Sequence, residues 1–188
     1  DVLINNAGAL FNERLLTDEG LERSFALLLL SPWQLTRGLK PLLANHSAPA
    51  RIINIISGGM YTQRLSLKHL IMDEPGYDGP QAYARAKRGL AVLTELWADA
   101  WRNDNIVVNA MHPGWADTPG VKSALPTVRA DTIIWLARAT EADKVTGKLF
   151  LDREIRSPYL LKKTIERASE REGLEAFLSE TLESVTDN

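Results

Sequence analysis

Ile52-Ile53-Asn54-Ile55-Ile56-Ser57-Gly58-Gly59 is the stretch that decides the fold. Its first five residues are nearly continuous and β-branched, the pattern of a strand covered on both faces of a parallel sheet. It then stops on a serine and two glycines, which is turn chemistry. Two other segments read the same way: Val2-Leu3-Ile4 runs into Asn5-Asn6-Ala7-Gly8, and Ile106 to Met111 runs into His112-Pro113-Gly114. Helical patterns separate them. From Leu21 to about Asn45, apolar Phe25, Leu28, Leu29, Leu35 and Leu39 recur at helical spacing; Thr17 suits the N-cap and Pro32 predicts a kink. A second helix is expected from about Gln81 to Asn103, with Pro80 at its first position, and a third from about Val128 to Thr140. Gly147 to Asp152 reads as a last strand, and Tyr159 to Val185 as an amphipathic helical tail. This alternation predicts an α/β fold with a doubly wound, Rossmann-like parallel sheet. Ligands in such sheets bind beyond the carboxyl ends of the strands, so the three polar loops are expected to share one rim.

A chain of 188 residues, 45% of them hydrophobic, can bury a substantial core. The net charge of −2 gives no reason to expect nucleic acid or an anionic membrane as partner. There is no cysteine, which excludes disulfides and thiolate metal sites and fits a reducing, cytoplasmic compartment. His46, His69 and His112 lack metal-site spacing, so no metal is expected. The longest apolar run, Phe25 to Leu30, is too short to cross a bilayer. The chain opens on Asp1 with a strand already under way, and the expectation is a cut through a larger protein.

Tyr83 and Lys87 stand four apart in Gln81-Ala-Tyr-Ala-Arg-Ala-Lys-Arg88, within the second helix, and so share a face. A phenol with a pKa of about 10 is a poor base at neutral pH; bringing it to about 7 takes roughly 4 kcal/mol. An ammonium about 4 Å away supplies roughly 1 kcal/mol in water but about 4 at an effective dielectric near 20. The pair is an acid–base unit only in a partly dry site. Ser57, at a strand end, is placed to hydrogen-bond a substrate oxygen whose charge changes. The same spacing recurs at Tyr159 and Lys163, where no serine-ending strand precedes it; that pair is assigned to a surface helix.

With these residues in order, the chain resembles the short-chain dehydrogenase/reductase family from Asp1 to about Asp152, beginning at the family's fourth strand. Tyr83 to Arg88 and the long segment Met111-His-Pro-Gly-Trp-Ala-Asp-Thr-Pro-Gly-Val121 carry the likeness most specifically. The resemblance implies NAD or NADP as cofactor and a small alcohol or carbonyl compound, apolar in character, as substrate. It implies Tyr83 as acid/base, Lys87 as the residue that lowers its pKa and holds the nicotinamide ribose, and Ser57 as the residue that orients the carbonyl. Asn5, Asn6, Ala7 and Gly8 would pass near the adenosine side; Pro113, Gly114 and Thr118 would lie near the nicotinamide and its phosphate. A helix-pair homo-oligomer would follow if Ala84, Ala91 and Ala98 packed on a second copy. Two departures are visible. Leu28 stands where the family has a catalytic asparagine, and no glycine-rich phosphate turn occurs. A catalytically weak dinucleotide-binding or scaffold protein, and an inactive fragment, are therefore rival readings. The insert between Ser57 and Tyr83, with Arg64, Lys68, His69, Asp73 and Glu74, reads as a solvated loop, with a substrate entrance as the alternative.

Overall fold

A computed structural model describes residues 1–45, 47–114 and 131–186. Its sheet runs in chain order through β1 (Val2–Asn5), β2 (Ala50–Ile55), β3 (Ile106–Met111), β4 (Leu149–Leu151) and β5 (Glu154–Arg156). The first four strands are parallel; β5 folds back antiparallel on β4. The sequence reading misses β5. Its turn is Asp152-Arg153, both left-handed with φ of 53° and 60°, the conformation of a two-residue hairpin in which glycine is the usual signal.

The apolar run in β2 feeds two cores. Ile52 faces α2 (Ser31–Ala44) and α3 (Gly79–Ala100), while Ile53 and Ile55 join Met111, Phe150 and Leu136 of α4 (Asp131–Arg138) on the other face. That two-sided burial is why the strand does not alternate.

The first helical stretch begins at α1 (Arg23–Phe25). Its cap is Glu22, whose carboxylate accepts the Ser24 and Phe25 N–H groups at 2.7 and 3.0 Å, rather than Thr17. One π turn follows, Ala26–Leu30, closed by Ser31 N–H on the Ala26 carbonyl. Pro32 comes next and lacks an N–H, so the irregularity expected at the proline falls one turn earlier. The wider turn rotates the apolar face: Trp33 and Thr36 are buried, whereas Leu35 is 50% exposed.

Helix α3 is capped by Asp78, which accepts Gln81 N–H at 2.8 Å, and Leu90, Leu93, Trp97 and Trp101 are in the core as expected. Trp97 and Trp101 stack at 5.4 Å. Ala84, Ala91 and Ala98 are buried within the chain. Ala84 lies under Gly59 and Ala98 under Gly147, so these two alanines admit the chain's own loops.

Tyr159 lies outside any helix, contrary to its sequence assignment. The tail forms two short helices, α5 (Ala168–Glu172) and α6 (Leu174–Thr186). Leu174 and Leu178 are fully buried, Phe177 meets Phe25 edge-on at 6.1 Å, and Glu175 accepts the Trp97 indole N–H at 2.9 Å. Among the described residues no helix is long and apolar enough to cross a membrane.

Candidate active site

The register of the sheet makes the site. Asn5 is level with Asn54, and Ile55 is level with Met111. The loops after β1, β2 and β3 therefore start at one height, which brings Asn6-Ala7-Gly8, Ser57-Gly58-Gly59 and His112-Pro113-Gly114 to a common rim. A buried polar chain holds that height. Asn5 Nδ2 donates to Thr36 Oγ1 at 2.9 Å and to Asn54 Oδ1 at 2.7 Å; Asn54 Nδ2 donates to Thr94 Oγ1 at 2.9 Å. Asn5 thus ties two strands to the helices on that face, while Asn6, Ala7 and Gly8 are exposed.

Tyr83 and Lys87 face this rim from α3. Burial pushes the Tyr83 phenol above its ordinary pKa, and a hydrogen bond with the Ser57 side chain pulls it part of the way back. Lys87 is 2% exposed, and burial brings its ammonium down to about 8. It donates to the Ile55 carbonyl at 2.7 Å and lies 5.8 Å from the centre of the Tyr83 ring. The sequence argument expected the ammonium to acidify the phenol. Here desolvation is the main influence on both groups, and it holds the phenol above its ordinary pKa and the ammonium below its own.

Leu28, in the π turn, is fully buried, and its Cδ2 would sit 3.2 Å from a Cβ placed on Gly8. Lys87 Nζ lies 3.8 Å from the same point. The leucine therefore occupies the corner beside the ammonium. His112 Nδ1 accepts the Gly114 N–H at 3.0 Å, with Gly114 at φ 76°. That bond assigns the His112 proton to Nε2, and burial keeps the ring below its ordinary pKa. Nε2 is 3.0 Å from where a Cβ on Gly58 would be. From sequence, His112 at its strand end is expected to make a structural hydrogen bond rather than touch a ligand, and it makes one; the close approach of two strand-end loops is a tertiary fact. Pro113 is half-buried on the same rim. Thr118 lies outside the described residues.

The segment between Ser57 and Tyr83 is not simply solvated. Arg64, Lys68, His69, Asp73 and Glu74 are exposed, but Met60, Leu65 and Leu70 between them are buried. The apolar members anchor the segment while the charged ones face water. Among the described residues no group of acidic, histidine or cysteine side chains is arranged to hold a metal.

A family model described as enoyl-(acyl carrier protein) reductase matches residues 1–149. The chain belongs to the short-chain dehydrogenase/reductase family. The human (Homo sapiens) protein "Dehydrogenase/reductase SDR family member 12" is 40% identical to it, over 98% of this chain and 61% of that protein. The chain thus spans less than two thirds of that relative's length. Among solved structures, an uncharacterized protein from Mycobacterium Paratuberculosis shares the fold at a TM-score of 0.73 and 22% identity, covering 96% of this chain and 66% of that one. A 4-hydroxyisoleucine dehydrogenase complexed with NADH shares it at a TM-score of 0.59 and 23% identity, covering 80% and 66%.

The residues present fit what a short-chain dehydrogenase asks of its nicotinamide cofactor. Among the described residues the Ile55 carbonyl accepts one of the three Lys87 donors, which leaves two for a ribose diol. The exposed Gly8 beside it lets another molecule approach the backbone closely.

Proposed function

We propose that the full-length protein is an NAD(P)-dependent oxidoreductase that interconverts an alcohol and a carbonyl compound. The observation that carries this is the Tyr83 phenol, half-buried, with Ser57 near enough to oppose the rise in its pKa, one helical turn from a buried lysine. A bound dinucleotide would supply or accept the hydride. Ser57 would donate to the carbonyl oxygen and hold it beside the phenol. Tyr83 would pass its proton to that oxygen as negative charge develops, and burial keeps the phenol protonated ahead of that step. Lys87 would bond the nicotinamide ribose with its spare donors. Asn6, Ala7, Gly8, Pro113, Gly114 and Thr118 would line the cofactor path, with Asn5 fixing the sheet beneath it. The substrate would be apolar, since leucine, tryptophan and methionine abound in the sequence around these groups. The test is Tyr83→Phe in the full-length protein, followed by NADH or NADPH oxidation against apolar aldehydes and ketones. Loss of a positioned acid is expected to lower the rate by about a hundredfold or more; an unchanged rate overturns the assignment.

Leu28 favours a second reading, in which the protein binds a dinucleotide but turns over slowly. A leucine has no polar atom to hold a water beside Lys87. Leu28→Asn is expected to raise the rate at least about tenfold, and high activity in the unaltered protein removes this reading.

A further inference from the structure

Arg88 follows the Tyr83–Lys87 pair and has no part in the chemistry above. It is 0% exposed. Its guanidinium donates to three backbone carbonyls: Nε to Gln63 at 3.0 Å, Nη2 to Met60 at 3.0 Å and Nη1 to Pro158 at 2.9 Å. Two of these acceptors belong to the turn that Ser57 opens. Ser57 caps that turn, Gly58–Thr62, its hydroxyl taking the Gly59 N–H at 3.4 Å and its carbonyl the Met60 N–H at 3.1 Å. The Gln63 N–H closes on the Met60 carbonyl that Arg88 also holds. Arg88 grips the far end of a turn whose near end is the serine.

The third acceptor lies in the C-terminal segment. There the Tyr159 ring stands 5.0 Å from the guanidinium, and its hydroxyl bonds Glu166. Arg171 in turn pairs with Glu166 and Glu95 at 3.1 and 2.7 Å. Two arginines and two glutamates thus balance, which is what a buried cation requires. Tyr61, inside the turn, donates to the Ser157 carbonyl at 3.1 Å and repeats the link.

We propose that Arg88 is a positioning residue: through the Met60 and Gln63 carbonyls it sets where the Ser57 hydroxyl stands relative to the Tyr83 phenol, and through Pro158 it makes that setting depend on the C-terminal segment. A planar fork presents its donors in fixed directions from three separate nitrogens, whereas an ammonium's donors all diverge from a single atom. The inference rests on reading Ser57 and Tyr83 as a working pair.

The experiment is a double-mutant cycle in the full-length protein carrying tyrosine labelled with carbon-13 at Cζ. The Tyr83 resonance is assigned by its loss in Tyr83→Phe, and its shift at neutral pH reports the hydrogen bond to the phenol. Ser57→Ala is expected to displace the resonance in the wild-type background. On the Arg88→Met background that displacement is expected to be largely lost, because the hydroxyl has already left its place. Equal displacement in the two backgrounds means that Arg88 is only a staple and overturns the proposal. No displacement in the wild type overturns it too, since there is then no contact to position. If Arg88→Met does not fold, Arg88→Lys carries the same cycle, with most of the coupling lost. None of these readouts is a turnover rate. A Tyr83→Phe enzyme of full activity would sink the dehydrogenase reading and leave the cycle interpretable.

Discussion

Lys87 shows how burial decides the character of a single residue. Its pKa falls from 10.5 to about 8 because its charge is desolvated. Between those values the unfolded chain binds the proton and the folded one releases it, so stability rises with pH across that window. Below about pH 8 the full cost of on the order of 3 kcal/mol applies. Lys87→Met removes it. The variant's advantage over wild type is expected to be about 3 kcal/mol larger at pH 7 than at pH 11 in urea denaturation; a difference independent of pH would contradict the burial argument. At this scale the sequence was informative about identity and silent about environment. Tyr83, Lys87 and Ser57 were legible because the helix period and a strand end fix where they sit. The direction of the Tyr83 shift was not, since desolvation depends on everything packed around it. Arg88 was invisible for a similar reason: all three of its acceptors are backbone carbonyls, which leave no trace in side-chain chemistry.

At the scale of elements, the π turn and α3 pack closely. A Cβ on Gly89 would come within 2.7 Å of Leu29 Cδ2. Glycine inside an exposed helix costs about 1 kcal/mol relative to alanine, so Gly89→Ala would ordinarily stabilise. Here the methyl group forces Leu29 from its place, and overpacking typically costs about 1–3 kcal/mol. Gly89→Ala is expected to lower stability in chemical denaturation, and to cost less on a Leu29→Ala background than in the unaltered chain. A stabilised single variant would show that the leucine yields freely. The strands β1, β2 and β3 were readable because two-sided burial writes a continuous apolar run. The π turn was not, since one extra residue in a turn leaves composition unchanged and only rotates which leucines face inward. Leu35 was misplaced for that reason. Strand β5 was missed because Arg153 adopts a conformation that sequence rules reserve for glycine and asparagine.

For the whole molecule, the C-terminal helix α6 completes the core under α2 and α3. Leu178 is fully buried there. Leu178→Ala is expected to cost about 2–5 kcal/mol, read as a lower denaturation midpoint; a cost below about 0.5 kcal/mol would mean that the helix only rests on the surface. Charge and helical amphipathicity marked this region as a tail but could not say what it covers, because that depends on a face assembled from two distant helices. The parallel rings of Trp97 and Trp101 report on this helix. Glu175 of α6 holds one indole of the pair. Two chromophores in van der Waals contact should give a coupled near-ultraviolet circular dichroism band, and undocking of the terminal helix should erase it before the backbone signal changes. The protein carries its own optical gauge of whether its last helix is seated.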